Sequence, residues 1–219
     1  MSQPQSQSQP QTQPPPPPPP TLYFAFGSNL WLAQMARRCP RSKFIGRAKL
    51  RDHRWQINER GYANVVPELD HTVEGLIYEI DEEDEARLDV NEGVANGSYS
   101  KGVCDVKLYP TDTSLYRRPT AWIVGEGGPC EVLRKAKSEG KLIAEQPPRH
   151  KEGVLVYIDK KRVTDGLPRE EYIDRINAGV RDAVSLWVDR SYFETVVRPF
   201  VPERPSKKGE GRTEVQVPR

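Results

Sequence analysis

The sequence predicts an α+β fold, a mixed β-barrel-like sheet flanked by helices. Three observations predict it. Segments with strand-like alternation or short apolar runs follow one another through the first part of the chain, with helices mostly after them. The clearest 3.6-residue periodicity comes late, after Pro168. That succession favours a closed-barrel or α+β arrangement over a doubly wound sheet, and no internal repeat is seen; neither GxGxxG nor GxxxxGK[ST] accompanies the Gly27 turn, so a nucleotide phosphate is not indicated.

Leu22 to Phe26 reads as a first buried strand that stops at Gly27-Ser28-Asn29. Leu30, Ala33, Met35 and Ala36 then predict a helix ending near Arg38, ahead of Pro40. Arg47 to Asn58 is expected as a strand, marked by Ala48, Leu50, Trp55 and Ile57. Tyr62 to Val66 is expected as a short strand closed by Pro67, and Thr72 to Ile80 as a separate one rich in β-favouring residues. Asp81 starts a helix whose first turn carries Glu82, Glu83 and Asp84 at the positive end of the dipole, with Gly93 just past its end.

Tyr99 to Tyr109 and Thr120 to Val124 read as further strands, and Leu155 to Ile158 as a last short one. Gly127 to Lys151 reads as loop-rich, with a turn or two of helix over Glu131 to Lys137. Pro168 suits the first position of the best helix, whose apolar side runs from Tyr172 and Ile173 through Ile176, Val180, Ala183 and Val184 to Trp187. A final helix is expected from Arg190 to Val197, before Pro199.

Residues 1–20 are mostly Gln, Ser, Thr and Pro and end in an unbroken run from Pro14 to Pro20, expected as an extended polyproline II rod outside any core. Residues 204–219 are charged, lack apolar periodicity and are expected to be disordered. One domain over residues 21–203 is left between the two tails.

Composition narrows the function. A net charge of +2 gives nucleic-acid binding little support, and Lys135, Lys137, Lys160, Lys161 and Arg162 read as a solvated face. The three cysteines, Cys39, Cys104 and Cys130, have no paired spacing, and the three histidines form no HExxH pair; neither a disulfide framework nor a metal site is expected. No apolar run approaches bilayer length, and the N-terminus lacks a signal-peptide pattern. The expectation is a cytoplasmic protein away from membranes.

Two places could carry chemistry. Phe26-Gly27-Ser28-Asn29-Leu30 sits where a strand meets a helix, and its small residues leave N–H groups open as a cradle for a carboxylate or an oxyanion. An ordinary turn capped by Ser28 or Asn29 is the plainer alternative. Glu92, in Leu88-Asp89-Val90-Asn91-Glu92-Gly93, sits where a helix gives way to a Gly-rich loop before Gly97-Ser98-Tyr99. The plainer local alternative is that it belongs to the solvated acidic face of Glu82, Glu83 and Glu85.

Together with Val73-Glu74-Gly75-Leu76-Ile77-Tyr78, these segments resemble the gamma-glutamylcyclotransferase family in order and spacing from Leu22 to about Val124, and Asp165-Gly166-Leu167-Pro168 with its helix fits as well. The resemblance implies that family's fold and a cofactor-free cyclisation of a small-molecule gamma-glutamyl substrate to 5-oxoproline. It implies Glu92 as general base and then general acid, with a pKa raised by desolvation. It places Phe26, Gly27, Ser28, Asn29 and Leu30 at the substrate's glutamyl end, puts Tyr99 on the pocket wall and suggests a homodimer. Phe26 stands where the family has tyrosine and lacks its hydroxyl. A non-catalytic binding module on the same fold is the alternative, and the Pro14–Pro20 run invites a proline-recognising protein partner.

Overall fold

The computed structural model of the chain describes residues 19–141 and 146–204. The expectations for the Gln- and Pro-rich segment up to residue 18 and for the charged segment from residue 205 lie outside the described residues.

Five strands close into a mixed barrel: β1 (Thr21–Ala25), β2 (Lys43–Ile57), β3 (Ala63–Ile80), β4 (Ser100–Pro110) and β5 (Arg149–Ile158), in the spatial order β1-β3-β2-β4-β5. Neighbours are antiparallel except β1 and β5, which meet in parallel at Tyr23 and Leu155 and close the ring. Phe24 of β1, Phe44 and Trp55 of β2 and Tyr78 of β3 are core side chains, all fully buried. The indole N–H of Trp55 donates to the Phe26 carbonyl at 3.0 Å, so a core residue fixes the end of β1.

The helices are α1 (Leu32–Arg38), α2 (Glu82–Asn91), α3 (Thr120–Gly125), α4 (Pro129–Ser138), α5 (Glu170–Ser185) and α6 (Arg190–Tyr192), which runs on as a π-turn over Phe193–Val197. Among the described residues, no helix is long and apolar enough to cross a membrane.

Several elements differ from the sequence reading. Thr120 to Val124, expected as a strand, is α3. A five-residue apolar run has no period to tell strand from helix. Here Pro119 precedes the first turn, and Ile123 is buried while Trp122 is half-exposed. Tyr62 to Val66 and Thr72 to Ile80 belong to one strand, β3. Its register against β2 shifts between Arg51 and His53, which bulges out the exposed residues 68–71; Pro67 sits at that bulge, where the N–H it lacks is not missed.

In the loop-rich segment from Gly127 to Lys151, the helical turns expected over Glu131 to Lys137 are α4, and the end of the segment is the start of β5 rather than loop; residues 142–145 lie outside the described ones. The best helix starts at Glu170, two residues after Pro168, because the chain before it is held extended against the β2–β3 turn: Gly166 N–H donates to the Ile57 carbonyl at 2.7 Å and Arg169 N–H to the Gly61 carbonyl at 3.2 Å. Trp187 lies past the end of α5 with φ +66°, so it is not part of the helical face.

Helix α5 also caps α1. Trp31 at the N-cap of α1 gives no side-chain bond, and the Asp182 carboxylate of α5 accepts the Leu32 N–H at 2.8 Å instead. Burial raises the Asp182 carboxyl to about 6, against the lowering by that N–H. A carboxyl with this value in the fold and its ordinary value in the unfolded chain binds its proton more tightly when folded. Stability is therefore greatest below the unfolded value and falls as pH rises through about 6. Asp182→Asn keeps an oxygen for Leu32 and cannot titrate. The expected result is a thermal midpoint that falls less between pH 4 and pH 7 than in the parent, by on the order of 2 kcal/mol of stability. Equal slopes for the two proteins would show that this carboxyl does not carry the dependence.

Candidate active site

The residues singled out in the sequence come together at one end of the barrel. After β1, Gly27 leads into a single 3₁₀ turn over Ser28–Leu30, and both Ser28 and Asn29 are buried there. Glu92 caps the C-terminal end of α2, its N–H on the Leu88 carbonyl at 2.8 Å. Gly93 follows at φ +65°, the left-handed residue that ends the helix, and a Cβ there would meet Ser98 Oγ at 2.9 Å. That turn aims Glu92 inward, away from the acidic face of the helix, and leaves its side chain 15% exposed.

Glu92 Oε1 accepts from Arg38 Nη1 at 3.2 Å and, at the limit of hydrogen-bond reach, from Asn29 Nδ2 at 3.5 Å. Asn29 is held on all sides. Its Nδ2 donates to the Tyr23 hydroxyl at 2.8 Å, its Oδ1 accepts from Gln34 Nε2 at 2.9 Å and Arg38 Nη1 at 3.0 Å, and its carbonyl accepts from the Tyr78 hydroxyl at 3.2 Å. Ser28 Oγ accepts from the same Gln34 amide at 2.7 Å. Neither Ser28 nor Asn29 caps α1.

Not all the main-chain donors expected to be open are so. Ser28 N–H donates to the Tyr172 hydroxyl at 3.3 Å, and Leu30 N–H closes the 3₁₀ turn on the Gly27 carbonyl at 3.0 Å. The N–H groups of Gly27 and Asn29 are the remaining members of the cradle.

Burial sets the electrostatics. It raises the Glu92 carboxyl above its ordinary value, against the lowering effect of Arg38, Arg175, the Asn29 amide and Arg60. It likewise raises the hydroxyls of Tyr23, Tyr99 and Tyr172, which therefore stay protonated at neutral pH. Tyr99 donates to the Ala63 carbonyl at 2.8 Å. Tyr172 accepts two backbone N–H groups, from Ser28 and Ala63, each at 3.3 Å, which leaves its own hydrogen to donate elsewhere.

Two cavities meet at Glu92, Ser28, Tyr99 and Tyr172. The inner one, about 40 Å³, is walled by Tyr23, Phe26, Gly27, Asn29 and Tyr157 besides these four and Ala63. The outer one, about 210 Å³, opens past Arg38, Arg60 and Arg175. Phe26 contributes only its ring, so the phenolic hydroxyls of the inner cavity come from Tyr23, Tyr99, Tyr157 and Tyr172, beside the hydroxyl of Ser28. An open groove of about 660 Å³ between α1 and α2 lies behind Arg38; it touches Val90 and Asn91 but neither Glu92 nor any residue of the Phe26–Leu30 turn. Among the described residues, metal-type donors gather only at Asp105, His150 and Glu152, all exposed on the paired strands β4 and β5 and outside both cavities.

Tyr23, Tyr157, Tyr172, Gln34, Arg38, Arg60 and Arg175 belong to the site and are not among the site residues the sequence marks. Tyr172 carries a signal that also fits a core residue: it stands on the apolar side of a helix, where a phenol needs a partner for its hydroxyl. The arginines and Gln34 are polar residues in helices or a turn, and nothing local marks them.

The model of the family described as gamma-glutamyl cyclotransferase, AIG2-like, matches residues 23–138 of this chain. Comparison with curated proteins finds no match. Among solved structures, the fold is similar to that of an uncharacterized Homo sapiens protein at TM-score 0.57 and 18% identity, over 87% of this chain and 92% of that one. It is similar to a structure described as gamma-glutamyl cyclotransferase at TM-score 0.56 and 18% identity, over 89% and 94%. It is also similar to YkqA from Bacillus subtilis at TM-score 0.57 and 19% identity, over 84% of this chain and 56% of that longer one. At these identities the likeness is one of fold.

Proposed function

The chain belongs to the gamma-glutamyl cyclotransferase, AIG2-like family, and on that premise we propose that it cyclises the gamma-glutamyl group of gamma-glutamyl amino acids or related amides to 5-oxoproline, with release of the amine. The observation that carries this reading is Glu92, a carboxylate turned out of solvent at the junction of two cavities, beside the Gly27–Leu30 turn.

The chemistry follows from that placement. The α-amine of the glutamyl group attacks its own side-chain carbonyl carbon, and the new C–N bond closes a five-membered ring. Glu92 takes the proton that the amine loses. The tetrahedral centre then collapses, the original amide C–N bond breaks, and Glu92 returns the proton to the departing nitrogen. A carboxyl raised by burial is suited to both transfers, since it gives its proton up less readily than one in water and still accepts one. Charge growing on the carbonyl oxygen has nearby donors in the Tyr172 hydroxyl and the Gly27 and Asn29 N–H groups. Holding the glutamyl chain folded between the Gly27–Leu30 turn and Glu92, across the two joined cavities, supplies the orientation that ring closure needs, a contribution that reaches about 7 kcal/mol or more in well-oriented systems.

The test is incubation with a panel of gamma-glutamyl dipeptides and chromatographic measurement of 5-oxoproline. Release is expected in proportion to enzyme. Folded protein that releases none from any gamma-glutamyl compound would leave a binding module on the same fold.

A further inference from the structure

We propose that the outer cavity is a carboxylate subsite for the departing half of the substrate, with Arg60 as its specificity-determining side chain, so that gamma-glutamyl amino acids are taken in preference to gamma-glutamyl amines. The proposal rests on the cyclotransferase reading and adds to it the class of leaving group.

Arg60 lies in the β2–β3 turn and reaches the outer cavity beside Glu92. Its backbone is pinned. The Arg60 N–H donates to Asn58 Oδ1 at 3.1 Å, and its carbonyl accepts from Arg169 Nε at 2.8 Å. The next residue, Gly61, has φ +86° and packs so closely on Arg169 that a Cβ would approach its backbone nitrogen to 3.0 Å. The guanidinium is held in turn by two rings, 5.5 Å from the Tyr62 centroid and 5.7 Å from the Tyr99 centroid.

What distinguishes Arg60 from the other arginines of the cavity is its lack of a committed partner. Arg38 is bound to Glu92 and Asn29. Arg175 lies 2.9 Å from Glu171 and donates to Gln34 at 3.3 Å. Arg60 makes one long side-chain bond, 3.4 Å to the Ser98 carbonyl. The carboxylate near it, Asp159 at 4.0 Å, is already taken by Arg162 at 2.8 Å and Asn58 Nδ2 at 3.0 Å. A guanidinium has five N–H donors arranged as a fork that matches a carboxylate. Here most of that fork is unclaimed, it is fixed in place, and only 29% of the side chain is exposed.

Geometry then selects the ligand. With the glutamyl chain against the Gly27–Leu30 turn and the scissile nitrogen at Glu92, whatever the nitrogen carries lies on the Arg60 side of the outer cavity. An α-amino acid leaving group bears its carboxylate one carbon from that nitrogen. An amine leaving group bears none, and it leaves the fork without a partner in a partly closed space.

The test compares gamma-glutamyl-alanine with gamma-glutamyl-alaninamide in the parent, Arg60→Gln and Arg60→Lys proteins. The two leaving amines differ in basicity, so the quantity read is the acid-to-amide ratio of kcat/KM within each protein, which is also insensitive to the folded fraction. The ratio is expected to fall roughly 10- to 100-fold in Arg60→Gln, mainly through KM for the acid, and by less in Arg60→Lys, which keeps the charge and loses the fork. A ratio unchanged by both substitutions overturns the subsite while the cyclotransferase reading stands. Absence of 5-oxoproline from either substrate with folded parent protein fells that reading, and the subsite with it.

Discussion

Glu92→Gln is expected to lower kcat/KM for 5-oxoproline release about a thousandfold, with the thermal midpoint almost unmoved. The amide oxygen of glutamine can still accept from Arg38 at the 3.2 Å position and from Asn29 at 3.5 Å, so the shape of the site is kept. What is lost is a group able to hold the proton between nucleophile and leaving nitrogen. Steady-state kinetics on gamma-glutamyl-alanine, with calorimetry on the same samples, reads both quantities. A variant within a few-fold of the parent would remove Glu92 from the chemistry. In the parent, the acid limb of kcat/KM is expected to lie above the ordinary carboxylate range, because burial raises the pKa of Glu92 and the base must be ionised before it can act.

Gly179→Val is expected to cost both stability and rate. Gly179 lies in α5 where the helix presses on the 3₁₀ turn; a Cβ there would stand 2.8 Å from Leu30 Cβ and 3.0 Å from the Trp31 nitrogen. The backbone nitrogen cannot swing aside as a side chain would, so either α5 or the turn has to shift. Overpacking of this kind costs about 1–3 kcal/mol, or roughly 2–12 °C in a domain of this size. The turn that moves carries Ser28 and Asn29, and displacements near 1 Å in positioning groups lower rates by about a hundredfold. Calorimetry and the 5-oxoproline assay check the two effects separately. An unchanged midpoint with unchanged rate would mean that α5 does not bear on the turn.

The barrel was legible because its strands carry their own period: Leu22–Phe26, the residues around Trp55 and those around Ile77 are apolar where a strand buries them. The joins were not. Nothing within Thr120–Val124 tells a strand from a helix, and β3 was cut in two because Pro67 looks like an end when its bulge is not visible. The turn at Gly27–Leu30 and the loop at Glu92–Tyr99 are weak signals singly, and only the resemblance joined them across 63 residues of chain to the Asn29–Glu92 contact. Tyr172 is 144 residues from Ser28, and Arg175 is 141 from Gln34. Contacts of that span leave no periodic trace in sequence, and folding creates them when α5 docks.

The parallel meeting of β1 with β5 limits how the chain can be shortened. Residues 23–138, the part the family model matches, end before the strand that seals the ring. A fragment cut there would expose both unpaired edges of an open four-stranded sheet. It would also lose the Asp182 acceptor for the start of α1 and the hydroxyl that holds Ser28 and Ala63. The recognisable part of the molecule is therefore not a separable part: the last strand and the helix after it are the keystone that lets the first turn hold its shape.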